Sequence, residues 1–419
     1  MVRILPATTD PRATRLLVAR GLRAGADGLV AATLTAYLAS RGFSAARIGL
    51  LVTATLLGSA VVVLAVGSRA DRVQPGQVLR GCAVAMVFTG ALFAVVPWFV
   101  PLLVVAAFGP LNPSAGDVSA FLPAEQALLP SLVGAEHRTA LFARYSLVAF
   151  GASALGAAVA GVPLAVGRRL DWSTQRSLST VFWLYAGLGA VLVFVYGPVA
   201  KLHHTDAVLS TRLGESKARI RKLAALFCVD SAGGGFVVTS LIALWLDRRH
   251  HFSLAQVGGA LAAMQMLSAL SSLAAPALAR RFGLVRTMVF THLPANALLI
   301  SAAFAPSGRS AVALLLARAL LSQMDVPARQ SYVMSIVQPA ERAAAAAYTN
   351  VPRSLASAAT PALAGWMLGR SNFGWPLVIG GTLKATYDLL LLHQFGRSAS
   401  AGRNDGGEHR SASGAAQPQ

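Results

Sequence analysis

Sixteen acidic residues are spread over 419 positions, and several stand inside long apolar runs. A charge at the centre of a bilayer-spanning helix costs about 2.5–3.5 kcal/mol on insertion scales, so each such residue asks for a partner or a task. Asp27 leads this set. It lies near the middle of an apolar run, between Gly25 and Gly28, with Arg20 and Arg23 preceding it on one helical face. A carboxylate there can take up and release a proton; the alternative is a structural ion pair with Arg23. Asp230 opens a later run and is followed by Gly233-Gly234-Gly235, which invite a bend. It is either a second titrating site or an end cap in an ion pair.

A third group is mixed in sign. Asp117 and Glu125 share one run, and Arg318, Asp325 and Arg329 share another. Glu125 and Arg329 stand 204 positions apart, a spacing that recurs elsewhere in the chain. Opposite charges at related positions can pair across two halves as a gate; otherwise they are separate interfacial charges. Arg353, flanked by Asn350 and Ser354, offers a rigid fork for a carboxylate or phosphate, or a neutralising partner for Asp27. Arg144 is a weaker version of the same idea. His292 and Asn296 share a helical face, either as packed polar residues or as a proton relay. Arg353, Arg144, Asn350, His292, Asn296 and Asp117 form the candidate ligand pocket, with Asp27 and Asp230 the candidate proton sites.

The elements that position these residues are membrane helices. Hydrophobic residues make up 55% of the chain and charged residues 12%, about half the share of a soluble domain. Mean hydropathy is +0.60. Apolar runs predict twelve spans at roughly 15–40, 45–68, 77–97, 99–128, 139–167, 178–200, 222–246, 253–279, 285–306, 309–337, 342–368 and 374–395. The organisation expected is a six-span half over 1–200, a linker over 201–221, a second half over 222–397 and a disordered tail over 398–419. The net charge of +20 resides in loops and tails. The loops on the side of the termini are the richer in Arg and Lys, so both termini are expected in the cytoplasm. No soluble domain presents this charge to nucleic acid. Cys82 and Cys228 sit in apolar runs, without the spacing of a disulfide framework or a zinc site. The first twenty residues read as a cytoplasmic lead rather than a cleaved signal.

The chain repeats itself. Phe43-Ser44 and Gly49 recur as Phe252-Ser253 and Gly258, at an offset of 209, and Pro123-Ala124, Gln126, Arg138 and Gly161 recur at 204. Two parallel six-span halves follow. Gly67, Ala70, Asp71, Arg72 and Leu79 resemble the loop signature that major facilitator transporters carry after span 2, although Arg69, Gln74 and Pro75 depart from it. The resemblance implies an all-α membrane protein with twelve transmembrane helices in two pseudo-symmetric six-helix bundles, working by alternating access. It also implies gating by Gly67, Asp71, Arg72, Arg280 and Arg281, to which Glu125, Asp325 and Arg329 are added. Gly151, Gly156 and Gly161 in span 5 are similar to the glycine-rich motif of drug:proton antiporters, with Pro361 and Gly365 in the matching part of span 11. Small residues there permit close helix approach.

The leading expectation is therefore proton-coupled export of small organic or drug-like molecules by a bacterial inner-membrane protein. It would act as a monomer whose partners are substrate, protons and lipid. Import of a metabolite such as an organic anion is the alternative, and a non-transporting membrane sensor the third reading. No phosphate-binding loop, metal motif or nucleophile turn appears, so no cofactor, metal or enzymatic activity is expected.

Overall fold

The computed structural model describes residues 11–67, 74–114, 121–132, 138–199, 217–337 and 342–395. All regular structure among them is helical. The first half comprises α1 (Pro11–Ser40), α2 (Ala45–Gly67), α3 (Pro75–Val95), α4 (Phe99–Phe108), α5 (Leu122–Leu128), α6 (Arg138–Ala158), α7 (Val162–Arg169) and α8 (Thr174–Tyr196). The second comprises α9 (Lys217–Phe236), α10 (Thr239–His250), α11 (Leu254–Phe282), α12 (Leu284–Ala303), α13 (Gly308–Ser322), α14 (Asp325–Ser335), α15 (Arg342–Ala359), α16 (Pro361–Arg370) and α17 (Trp375–Phe395).

These helices make the twelve expected crossings because five of the crossings are broken. Pro110 and Pro113 interrupt the fourth after α4, Gly161 precedes Pro163 in the fifth, and Thr360 precedes Pro361 in the eleventh. Proline removes a backbone donor and its ring clashes with the preceding turn; Gly109, before Pro110, is extended, while Thr360, before Pro361, keeps right-handed helical angles. The seventh breaks after its glycine run, with α9 and α10 bent by 40°, and the tenth breaks at Gln323 and Met324, between α13 and α14. Five crossings are long and apolar enough to span a bilayer unaided, and the α9–α10 pair makes a sixth. The rest carry the charges and breaks that lower their hydropathy. The expected linker runs into α9, which already begins at Lys217; residues 201–216 and the tail lie outside the described residues.

Each half keeps an outer layer, α3 with α8 and α12 with α17, packed within that half. The halves meet through α1, α2 and α6 on one side and α10, α11, α15 and α16 on the other. Their tightest seam lies toward the connections at 41–44 and 371–374, opposite the start of α1 and the end of α17. A side chain at Gly49 would put its Cβ 2.5 Å from Pro361 O and 2.8 Å from Gly365 Cα; one at Gly365 would meet Ala45 O at 2.5 Å. The repeat builds the same contact again, where Gly258 faces Ala160 and Gly161 faces Ala255. Replacing Gly49 by Val should therefore hold this side apart. Spin labels flanking the seam should report a longer distance, with the helices still inserted. An unchanged distance distribution would show that the seam tolerates bulk.

The broken crossings supply the polar half of the seam. A helix start leaves backbone N–H groups without intrahelical partners. Near the start of α10, Ser240 N–H donates to Pro113 O at 3.1 Å and Thr239 Oγ1 to Ser114 O at 2.7 Å. Near the start of α16, Ala362 N–H donates to Thr53 Oγ1 at 2.9 Å. Gln265 Nε2 adds a bond to Ser153 Oγ at 3.1 Å. All four cross from one half to the other.

Candidate functional site

The buried charges fall into two clusters, one in each half. In the first, α1 and α5 meet through Arg23 Nη2 and Glu125 Oε2, 2.7 Å apart, and Glu125 is fully buried. Tyr145 of α6 also donates to Oε2, and Tyr196 of α8 donates to Oε1 at 2.6 Å. Arg23 lies over the Phe121 ring and Arg20 over the Tyr145 ring. Glu125 is thus held by a cation and two phenols, the pattern a buried carboxylate needs.

Asp27 has no such cage. Arg23 Nη1 lies 3.8 Å from its Oδ2, and Asn112 Nδ2 reaches the same oxygen at 3.4 Å. Its Oδ1 is buried with no hydrogen-bond partner. The glycines beside it let α1 and α6 pack backbone to backbone: a Cβ at Gly28 would collide with the Ser153 backbone, and one at Gly156 with Gly25. Asn112 in turn uses Oδ1 to accept from Ser114 N–H at 3.2 Å and Ser114 Oγ at 2.7 Å. Ser114 O is the acceptor for Thr239 across the seam. A short bonded path therefore runs from Asp27 through the break after α4 to the other half.

The second cluster reverses the first. Asp230 on α9 takes Arg329 Nη1 of α14 at 3.0 Å on Oδ2 and Lys384 Nζ of α17 at 2.7 Å on Oδ1. Asp325 lies 3.4 Å from the same Arg329 nitrogen. The positions correspond. Gly28 and Gly235 stand five residues after Arg23 and Asp230, and they press on Ser153 and Ser357, which are themselves 204 apart. The two halves thus carry one ion pair with its signs exchanged.

The sequence matches the Major Facilitator Superfamily over residues 16–323. The chain belongs to that superfamily. It is a membrane transporter, not an enzyme. It is 26% identical to an uncharacterized membrane protein of Saccharomyces cerevisiae, over 89% of this chain and 92% of that one. A bacterial homologue of the human lysosomal transporter Spinster, solved inward-facing and unoccupied, superposes with a TM-score of 0.72 at 14% identity, covering 93% of this chain and 99% of the other. The nucleoside transporter NupG gives 0.70 at 17%, covering 92% and 99%. An inward-facing bacterial homologue of the iron transporter ferroportin gives 0.69 at 15%, covering 91% and 98%.

Against this superfamily frame, the other sequence candidates separate. Glu125 and Arg329 do not pair with each other; each is consumed by a partner in its own half, because a buried charge is neutralised at contact distance. Arg353 does not reach Asp27. Its Nε donates to Ser231 Oγ at 3.1 Å and its Nη1 to Asn350 Oδ1 at 3.3 Å, while its guanidinium lies over Phe227. Asn350 is exposed and Arg144 half-buried. His292 and Asn296 are buried against Asp388. Arg280 and Arg281 close the last turn of α11, exposed, where they suit the negative end of the helix. Gly67 ends α2, while Asp71, Arg72 and Asp117 lie outside the described residues. Gly156, Gly161, Pro361 and Gly365 sit at close helix contacts, but a Cβ at Gly151 would meet nothing within 4 Å, so that glycine does not serve close packing.

Sequence reasoning missed Asn112, Tyr145, Tyr196, Lys384 and Asp388. The last two carried a signal, as charges four residues apart within the apolar run of span 12. The tyrosines carried none, since an aromatic in a membrane helix is ordinary.

Proposed function

We propose that this chain couples proton movement to the export of small organic or drug-like molecules across the plasma membrane, as a monomer with both termini in the cytoplasm. The observation that carries the reading is Asp27: a buried carboxyl with one oxygen free of donors, joined through Asn112 and Ser114 to the contact between the halves. A proton bound at Oδ1 removes the charge that Asn112 and Arg23 address. Loss of that charge changes what holds Asn112, and with it the turn that presents Pro113 and Ser114 to α10. Protonation and closure of the seam are then one equilibrium. Export rests on the likeness of the span 5 glycines to the antiporter motif. Cargo rests on this chain's own residues, because the solved relatives are named for unlike cargoes.

One observation favours a second reading. Among the described residues Arg353 makes no ion pair, only bonds to neutral oxygens, beside exposed Asn350. A cation without a counter-ion suits an anionic ligand, and a carrier of organic anions would use it. Inside-out vesicles loaded with a substrate panel, with and without an imposed pH gradient, separate the readings. Proton-driven uptake of cationic or neutral compounds is expected. Accumulation confined to anions, and abolished by Arg353→Ala, would favour the second. Uptake indifferent to the pH gradient would reject proton coupling.

A further inference from the structure

The outer layer of the second half holds a polar cluster that the Asp27 site does not use. α12 presents His292 and Asn296, and α17 presents Lys384 and Asp388, each pair on one helical face. Asp388 is wholly buried, and its two oxygens lie 3.0 and 3.1 Å from His292 Nδ1. Asn296 Nδ2 donates to Asp388 Oδ2 at 2.9 Å. The other ring nitrogen, His292 Nε2, faces Asp230 Oδ1 at 3.9 Å. Lys384 Nζ donates to that same oxygen at 2.7 Å, while Arg329 holds the other.

An imidazole whose Nδ1–H is committed to a carboxylate keeps its basic lone pair on Nε2. Here that lone pair points at a second carboxylate. A proton taken up at Nε2 gives an imidazolium flanked by Asp388 and Asp230, and it creates a rival donor for the oxygen that Lys384 occupies. The groups in direct contact are three carboxylates, Asp230, Asp325 and Asp388, against two cations, Arg329 and Lys384. With a neutral ring these contacting groups sum to one negative charge; with Arg318 and Arg353, which also face the cluster, the sum is one positive charge. The other cations facing the cluster are Arg318 of α13 and Arg353 of α15, and neither makes an ion pair among the described residues. Tyr387 of α17 meets the imidazole edge-on, with centroids 6.3 Å apart. Gly233 and Gly234 give Lys384 its groove: a Cβ at Gly233 would lie 2.9 Å from Lys384 Cγ. Lys384 is also the most exposed charge of the cluster.

We infer that His292, held by Asp388, is a second proton-binding site of this transporter. Its protonation transfers Asp230 Oδ1 from Lys384 to the imidazolium and frees the Lys384 ammonium for an anionic group. The proton passes from hydronium to Nε2, so that one O–H bond breaks, one N–H bond forms and water is left, and the Lys384–Asp230 ion pair opens. The site stands apart from Asp27 and does not depend on that residue carrying a proton.

Acid–base titration of the purified full-length protein tests it. The curves of wild type and His292→Asn should differ by about one proton across pH 4–9. Asp27→Asn should retain the His292 step, so failure of one site is distinguishable from failure of the other. No difference between wild type and His292→Asn would overturn the proposal. If that variant does not stay monodisperse, histidine-selective NMR of the wild type replaces it. Of the described histidines His292 is the buried one, so a titrating resonance shielded from an aqueous relaxation agent is expected, and its absence overturns the site. The transfer has its own readout. The protection of α17 amides, taken relative to intrinsic exchange at each pH, should fall at acid pH in wild type and become the same at acid and neutral pH in Lys384→Met, while proton uptake persists. Equal protection at both pH values in wild type would reject the release of Lys384.

Discussion

Asp27→Asn is expected to abolish proton-driven accumulation while leaving the protein folded and able to exchange substrate. One coupled proton supports about a tenfold concentration ratio per unit of pH gradient, because each tenfold is worth about 1.4 kcal/mol. In the variant that ratio should fall to about one. Asparagine keeps the shape of the side chain and removes the titration. The surroundings tolerate the change, since Asp27 makes contacts of only 3.4 and 3.8 Å and leaves Oδ1 without a donor. Substrate-induced proton movement in reconstituted vesicles is the measurement. Wild-type proton flux in Asp27→Asn, at equal protein level, would remove this residue as the coupling site. Asn112→Ala should show a different defect. Proton binding should remain, but the path to Ser114 and Thr239 is cut, so substrate and proton should move with loosened stoichiometry.

Breaking the Arg23–Glu125 pair should cause the largest loss of stability. Removing one partner of a buried ion pair leaves an uncompensated charge and costs about 3–5 kcal/mol. Arg23→Met leaves Glu125 with Tyr145 and Tyr196 alone, both of them donors already in use. The exchange Arg23→Glu with Glu125→Arg should recover more than half of that loss. Its precedent is in the same molecule, where Asp230 and Arg329 occupy the corresponding helices with the signs reversed. Recovery should be incomplete, since the two phenols must then turn from donors into acceptors. Thermal unfolding in detergent gives the comparison. A double variant no more stable than Arg23→Met would show that the pair is tied to its sign by contacts beyond these four residues.

Hydropathy alone determined the class of this protein, and the reason is the solvent. A bilayer core forces backbone polar groups to pair within each segment, so apolar runs of about twenty residues become helices whatever surrounds them. The twelve crossings, the two halves and their relation were legible for that reason, and the repeat of Phe43-Ser44 and Gly49 by Phe252-Ser253 and Gly258 already announced the seam glycines. Charge inside those runs likewise marked Asp27, Glu125, Asp230 and Arg329 as residues that need a partner, and all four are buried beside one. Partnership was another matter. Glu125 and Arg329 correspond in the repeat, yet each pairs at home, because the choice among several opposite charges is decided by ångströms. Arg23 sits four residues before Asp27 but gives its close bond to Glu125, 102 positions away. Only packing of α1 against α5, α6 and α8 settles that competition, and only packing of α12 against α17 brings His292 to Asp388. A one-dimensional pattern records that a charge is buried. Which oxygen it faces, and which oxygen is left without a donor, is decided by where the helices cross.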